Sequence, residues 1–276
     1  KRKDWLKSYK EEEILDYNKK DTRIDEFIHL EFKHFSNSDN LRSIGSCIDG
    51  LKVSQRKILF SCLKRKLYKE IRVAQLSGYV SEQAAYHHGE ASLQGAIVGM
   101  AQNFVGANNI NLLQPNGQFG TRIMGGNDSA SARYIHTQLN PIVDAIFPQA
   151  DLPLLEYIND DGLMVEPKWY CPILPMVLVN GMVGIGTGFS TKIPQYNPLD
   201  CTNNLKRKMN GLPYLSMKPY YRGFKGKVVK VDEKGISKFI TKGKYSIEDD
   251  KVTITELPVG YWTHDFKEFL ENTIRM

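Results

Sequence analysis

The chain has 276 residues, 41% of them hydrophobic, which is ordinary for a globular protein and long enough for two structural units. Its formal charge of +6 is compatible with a polyanionic partner without specifying one. No apolar run approaches the roughly 18 residues that cross a bilayer, and no apolar stretch follows Lys1-Arg2-Lys3-Asp4-Trp5-Leu6, so neither a membrane span nor a signal peptide is expected.

The first residue is not Met, and a piece of a longer polypeptide is expected. The four cysteines, Cys47, Cys62, Cys171 and Cys201, are far apart and form no Cys-x-x-Cys. That spacing argues against zinc and redox pairs and predicts free thiols in a reducing compartment.

In chain order, residues 1–40 carry dense mixed charge. Trp5-Leu6 and Ile14-Leu15 predict an amphipathic helix, broken at Lys19-Lys20-Asp21-Thr22. A second helix is expected to start at Thr22 as its cap, with Asp25 and Glu26 in its first turn. It runs to Phe35 and ends in Ser36-Asn37-Ser38-Asp39-Asn40. Residues 54–68 predict a strong helix capped by Ser54, with Ile58, Leu59, Cys62, Leu63 and Leu67 as one apolar stripe. Lys57, Lys64, Arg65 and Lys66 fall outside that stripe, as a solvated face.

Residues 72–83 and 88–104 read as two helices joined by a tight break at Ala84-Ala85-Tyr86. Such a pair is a helix-turn-helix candidate, although an ordinary helical hairpin has the same pattern. In the DNA-binding version the start of the second helix, Tyr86-His87-His88-Gly89, would face phosphate with free backbone N–H groups. His87 and His88 make a poor chelate, because neighbours on a helix point about 100° apart.

Residues 108–133 form a long polar loop rich in Asn, Gly and Gln. A loop of that length inside a compact domain is functional or disordered, and beside a helix-turn-helix it would be a wing. Its last part, residues 125–132, is small and polar and reads as pliable. Arg133 and Tyr134 follow together, and then the alternating run Ile135-His136-Thr137-Gln138-Leu139. Tyr134 is one of 14 tyrosines and so a candidate packing residue, or it is a nucleophile with Arg133 as its charge partner.

Residues 141–161 predict a helix. Met176-Val177-Leu178-Val179 reads as a β-like run, and residues 225–231 and 251–257 alternate with period two as half-buried strands. Gly184-Ile185-Gly186-Thr187-Gly188 is not a nucleotide loop. Its spacing is G-x-G-x-G, Pro194 forbids a prompt helix, and no Gly-Lys-Ser/Thr occurs in the chain. Ile185 is left as either a core plug or a wedge between base pairs.

Many of these segments together resemble the type IIA DNA topoisomerases, specifically the eukaryotic type. The matching pieces are Arg42-Ser43-Ile44, Asp49-Gly50-Leu51-Lys52, Gln55-Arg56-Lys57, Tyr86-His87-His88-Gly89-Glu90 and Ala101-Gln102-Asn103-Phe104-Val105-Gly106. Gln118-Phe119-Gly120-Thr121-Arg122, Ala132-Arg133-Tyr134-Ile135 and Gly184-Ile185-Gly186-Thr187-Gly188 complete the set. The resemblance implies an α+β chain: a helical linker over residues 1–34 following a TOPRIM domain, a winged-helix DNA-cleavage domain over 35–173, and an incomplete mixed α/β tower over 174–276.

It also implies that Tyr134 attacks a DNA phosphodiester and becomes joined to the 5′ phosphate, with Arg133 stabilising the transition state. Ile185 matches the residue that intercalates and bends DNA. Lys52 and Tyr86 match DNA-contacting positions, and Arg42, Arg56, His87 and His88 lie in motifs lining the same groove. The implied partners are duplex DNA, a second copy of the chain, and TOPRIM and ATPase domains of the same polypeptide. The implied cofactors, Mg²⁺ and ATP, belong to those other domains, so no metal site is expected here, and the chain alone is expected to bind DNA weakly and cleave none.

The residue types suit that chemistry. Ionising a phenol at pH 7 costs roughly 4 kcal/mol; a neighbouring guanidinium lowers the cost and neutralises charge growing on phosphoryl oxygens. The competing readings are a winged-helix regulator without chemistry and a scaffold. Gly45 and Val53 stand where cellular eukaryotic members carry Pro, and Asn127 where they carry Lys, which implies a divergent, viral or protist lineage. The expected location is the nucleus, or host cytoplasm or nucleus for a viral protein.

Overall fold

The computed structural model describes residues 2–233 and 236–275. It is a mixture of helices and small antiparallel strand pairs. The chain begins with α1 (Arg2–Lys7), then α2 (Ile24–His29) and α3 (Glu31–Ser43).

The expected first helix stops at Lys7, and Ile14 lies exposed outside it. The second differs more. Arg23, not Thr22, is its N-cap, the helix breaks at Leu30, and α3 then runs straight through Ser36-Asn37-Ser38-Asp39-Asn40. The polar residues expected to end it have partners instead. Ser36 Oγ donates to the Phe32 carbonyl at 2.8 Å, and Asn40 Nδ2 donates to the Thr187 carbonyl at 2.9 Å. Ser36 bonds back one turn within the helix, and the tertiary bond of Asn40 to Thr187 offsets the weak helix propensity of this stretch.

Next come α4 (Val53–Arg65), β1 (Ile71–Arg72), α5 (Val73–Gln83) and α6 (Glu90–Ala101). The apolar stripe of α4 is buried as its spacing requires, with Ile58, Leu59 and Cys62 inaccessible. Lys52, not Ser54, is the N-cap, and its amide donates to Gln55 Oε1 at 2.9 Å. Burial pushes the Cys62 thiol up to about 12, so that group is inert at neutral pH. All four cysteines are free.

Lys57 departs from the solvated-face expectation. It is nearly buried, and its Nζ donates to the Ala84 carbonyl at 2.6 Å and to Glu166 at 2.9 Å. It thereby ties α4 to the break between α5 and α6, where Ala85 has a φ of 46°. Leu76, Val80, Leu93 and Ile97 complete the interface of the three helices.

β2 (His136–Thr137) pairs antiparallel with β1, Arg72 opposite His136. Residues 108–133 are not flanked by two regular strands. They touch residues 136–139 through isolated bridges, Leu113 to Leu139 and Asn116 to His136.

The helix expected over 141–161 is reduced to α7 (Val143–Ile146) and a 3₁₀ turn over Gln149–Leu154. Pro148 and Pro153 interrupt it. A hairpin follows, β3 (Tyr157–Asp160) and β4 (Leu163–Pro167), turned by Asp161 and Gly162, both with positive φ. The β-like run at 176 is instead α8 (Met176–Val179). A four-residue apolar run has no decisive period, and Pro175 starts the helix.

β5 (Met182–Ile185) and β6 (Ser190–Ile193) form a hairpin, followed by α9 (Pro198–Met209). The expected strands appear as β7 (Lys227–Glu233), paired with β8 (Ile236–Lys242), and β10 (Lys251–Glu256), paired with β9 (Lys244–Glu248), although β10 is exposed along its length except at Glu256 rather than half-buried. The chain closes with α10 (Thr263–Ile274). The main apolar core takes in Met176, Val179 and Cys201 as well as α4, α5 and α6, so packing is continuous across residue 173.

Arg56, expected among the DNA contacts, is buried. Its Nε and Nη2 donate to the fully buried Asp49 at 2.7 and 3.0 Å, and Nη2 also donates to the Leu51 carbonyl at 2.9 Å. Its charge is spent inside the fold. Arg56→Met should therefore destabilise the chain by about 3–5 kcal/mol, because it strands the Asp49 carboxylate; the denaturant midpoint measures this.

Candidate nucleic-acid interface

Tyr134 is 70% exposed, while its neighbours Ala132 and Ile135 are buried. The expected alternation holds, with Ile135, Thr137 and Leu139 inward. Two hydrogen bonds bracket the dipeptide. The Ala74 amide donates to the Ala132 carbonyl, and the Val73 amide to the Ile135 carbonyl, both at 3.0 Å. These donors are free first-turn N–H groups of α5, so a helix end fixes the strand mouth. The Tyr134 amide closes a turn on the Ser131 carbonyl at 2.9 Å. The Arg133 guanidinium sits over the Tyr134 ring, 5.9 Å from its centroid.

The stretch before them is ordered rather than pliable. Thr121 donates its hydroxyl and its amide to Asp128 at 2.6 and 2.7 Å, and these bonds hold the Asp128 carboxyl below the usual carboxylate range. Gln102 Nε2 donates to the Phe119 carbonyl at 2.9 Å and to the Gly126 carbonyl at 3.3 Å. Gly120 and Gly126 have φ of 94° and 87° and pack backbone to backbone, which a side chain would prevent.

Ile185 is 79% exposed, so the core-plug alternative fails. The cause lies in the glycines beside it. A Cβ on Gly184 would overlap the Ser43 carbonyl oxygen, and one on Gly186 would overlap Asn40 Oδ1. The backbone lies flat against α3, and the residue between the glycines points away. Thr187 Oγ1 donates to Asp39 Oδ2 at 3.0 Å and pins the turn.

Five of the residues singled out in the sequence meet at one cleft of about 430 Å³: Arg42, Lys52, Tyr86, His88 and Ile185. Tyr86 is buried with its hydroxyl 3.3 Å from Ser92 Oγ, and His88 lies edge-on to its ring with centroids 5.5 Å apart. Arg42 is loosely paired with Asp39 at 3.7 Å. His87 is exposed and does not line the cleft. Ser92 had no signal in the sequence, being one small residue on a helix. Lys57 and Glu166 lie 109 positions apart, beyond any local pattern.

Residues 42–276 match the family of the A-type subunits of DNA gyrase/topoisomerase IV. The chain belongs to this family. Among its relatives, DNA topoisomerase 2 of Arabidopsis thaliana is 52% identical over 273 residues, 98% of this chain. DNA topoisomerase 2 of Candida albicans is 52% identical over 270 residues, again 98% of this chain. The chain spans 18% of the length of each. In three dimensions it is similar to the Plasmodium falciparum topoisomerase II DNA-binding, cleavage and re-ligation domain, with TM-score 0.90 and 46% identity. That match covers 99% of this chain and 37% of the other.

Exposure and packing separate the residues of the glycine hairpin. Gly184→Ala should cost roughly 1–3 kcal/mol, since its methyl meets backbone that cannot yield. Ile185→Ala should leave stability within about 0.5 kcal/mol. Denaturant unfolding of the two variants measures both.

Proposed function

We propose that this chain is the DNA breakage-reunion part of a type IIA topoisomerase, with Tyr134 as nucleophile. The observation that carries this reading is the exposed phenol under the Arg133 guanidinium, on a dipeptide bracketed by two backbone hydrogen bonds. The likeness to the Plasmodium cleavage domain supports it.

In the proposed step Tyr134 Oη attacks phosphorus. The new bond joins tyrosine to the 5′ phosphate, the 3′ oxygen leaves and takes up a proton, and the phenol loses its own. Arg133 offsets the charge that grows on the phosphoryl oxygens. A phenolate is a good leaving group, so the 3′ hydroxyl reverses the step without an external energy source. Ile185, exposed beside the cationic Arg42 and Lys52, enters the stack and bends the duplex. Arg42, Lys52, Tyr86, His87 and His88 contact DNA from the cleft and its margin. Arg56 is a positioning residue for that surface.

In this reading α5 and α6 form the helix-turn-helix of a winged-helix domain at 35–173, residues 1–34 a helical linker and 174–276 a tower. The proposed partners are duplex DNA, a second copy of the chain, and TOPRIM and ATPase domains of a longer polypeptide acting in the nucleus. Among the described residues there is no group of three or more His, Cys, Asp or Glu that could hold a metal ion, and no step is routed through one. The glycine-rich turn is closed against α3 and does not fit ATP. No described helix is long and apolar enough to cross a membrane.

In the full-length enzyme, Tyr134→Phe should abolish covalent protein–DNA complexes while duplex affinity stays within about twofold, as expected when only a reacting atom is removed. Complexes that persist would show the nucleophile to be misassigned. Ile185→Ala should reduce DNA bending, read by energy transfer between labelled duplex ends, more than it reduces binding. Unchanged bending would remove the wedge role.

A further inference from the structure

The loop that delivers Tyr134 has little core of its own. Of residues 118–131, Phe119 is the one non-glycine residue that is buried. Besides Gln102, which donates to the Phe119 and Gly126 carbonyls, what holds the loop from outside comes from far along the chain. Arg122 forms an ion pair with Glu256, and its Nη2 donates to the Leu257 carbonyl at 2.8 Å. Glu256 is buried, and its second oxygen accepts from the Lys225 amide at 3.0 Å. The Ile123 carbonyl accepts the His264 amide at 3.0 Å. Trp262 lies edge-on to Phe104, centroids 5.9 Å apart, and fills the space where a side chain at Gly125 would go.

From this grip a chain of bonds leads to the nucleophile. Thr121 is tied to Asp128, the Gly126 amide donates to the Thr121 carbonyl at 2.9 Å, and the Ala130 amide donates to the Gln118 carbonyl at 2.9 Å. Ala132, two residues later, is held by α5. The far end of the loop is therefore fixed by the helix core and the near end by the 256–264 segment.

We propose that Glu256 is a positioning residue for strand cleavage, acting through Arg122 to hold the 118–132 loop so that Arg133 and Tyr134 meet a bound phosphodiester in line. This rests on the reading of Tyr134 as nucleophile. The pair is well suited to the task, because a desolvated carboxylate facing a guanidinium has a single favourable arrangement, whereas an exposed loop has many. Charge, rather than bulk, is what Glu256 supplies.

The test uses the full-length enzyme with Glu256→Gln, Glu256→Asp and Tyr134→Phe. Rates of covalent-complex formation are measured at saturating duplex, together with duplex Kd and amide hydrogen exchange. Glu256→Gln should slow cleavage about ten- to a hundredfold, the scale of a misplacement near 1 Å. Its Kd should stay within twofold, and the Gly126 and Ala130 amides should exchange faster. Glu256→Asp, which keeps the charge, should cleave faster than Glu256→Gln. Wild-type cleavage by Glu256→Gln, equal losses of cleavage and affinity, unchanged exchange, or Asp no better than Gln would each overturn the proposal. If Glu256→Gln does not fold, Arg122→Lys gives the same readouts with the cation kept and the Leu257 bond lost. Tyr134→Phe separates the two readings: complexes that persist there overturn the nucleophile, whereas their loss beside normal cleavage by Glu256→Gln overturns the positioning role alone.

Discussion

The buried Asp49 carboxylate organises the interface. It accepts from Arg56 on α4, from the Leu51 amide at 2.9 Å and from the Tyr170 amide at 3.0 Å. One charge thus joins a helix, the loop before it and a segment 121 residues away. A desolvated charge is tolerable only when paired and fully hydrogen-bonded, and this one is. Gly50, next in sequence, lies against the backbone of Val177 with a φ of 71°, which draws α8 onto the same loop. The hairpin bearing Ile185 starts three residues after α8 ends, and Lys52 caps α4 from the other side of Asp49. The Lys52 and Ile185 sides of the small cleft are therefore both close to this ion pair.

The two exposed chemical features, Tyr134 and Ile185, are displayed in the same manner. Each is a bulky side chain facing water between neighbours that cannot move. For Tyr134 the neighbours are buried and bonded to a helix end; for Ile185 they are glycines pressed onto α3. Neither arrangement depends on burial of the displayed side chain, so replacing it leaves the surrounding packing in place.

Much of this was legible in the sequence wherever the signal was local. The stripe of α4, the α5–α6 pair, the alternation after Tyr134 and the strands near 227 and 251 follow from periodicity. The misread elements had ambiguous or overruled local signals. Ser36-Asn37-Ser38-Asp39-Asn40 reads as a helix stop, but Asp39 and Asn40 both bond to Thr187 and the helix continues. Met176-Val177-Leu178-Val179 is too short for its period to decide. Family motifs located Tyr134 and Ile185, and exposure distinguished a displayed isoleucine from a packed one. Motif membership carries no orientation: Arg56 sits in a matching stretch and faces inward. The glycines near residue 125 read as pliable, although Gly125 packs against Trp262 and Gly126 against Gln102.

The bracketing of residues 133 and 134 has a consequence for custody of a broken strand. A DNA end joined to Tyr134 would hang from a tether only one side chain long, rooted in backbone that is itself bonded to α5. It could not drift by loop motion and would travel only as far as the whole helical body travels. The free 3′ hydroxyl would then see its phosphate at a high effective concentration whenever the bodies return, because almost no conformational freedom separates the two.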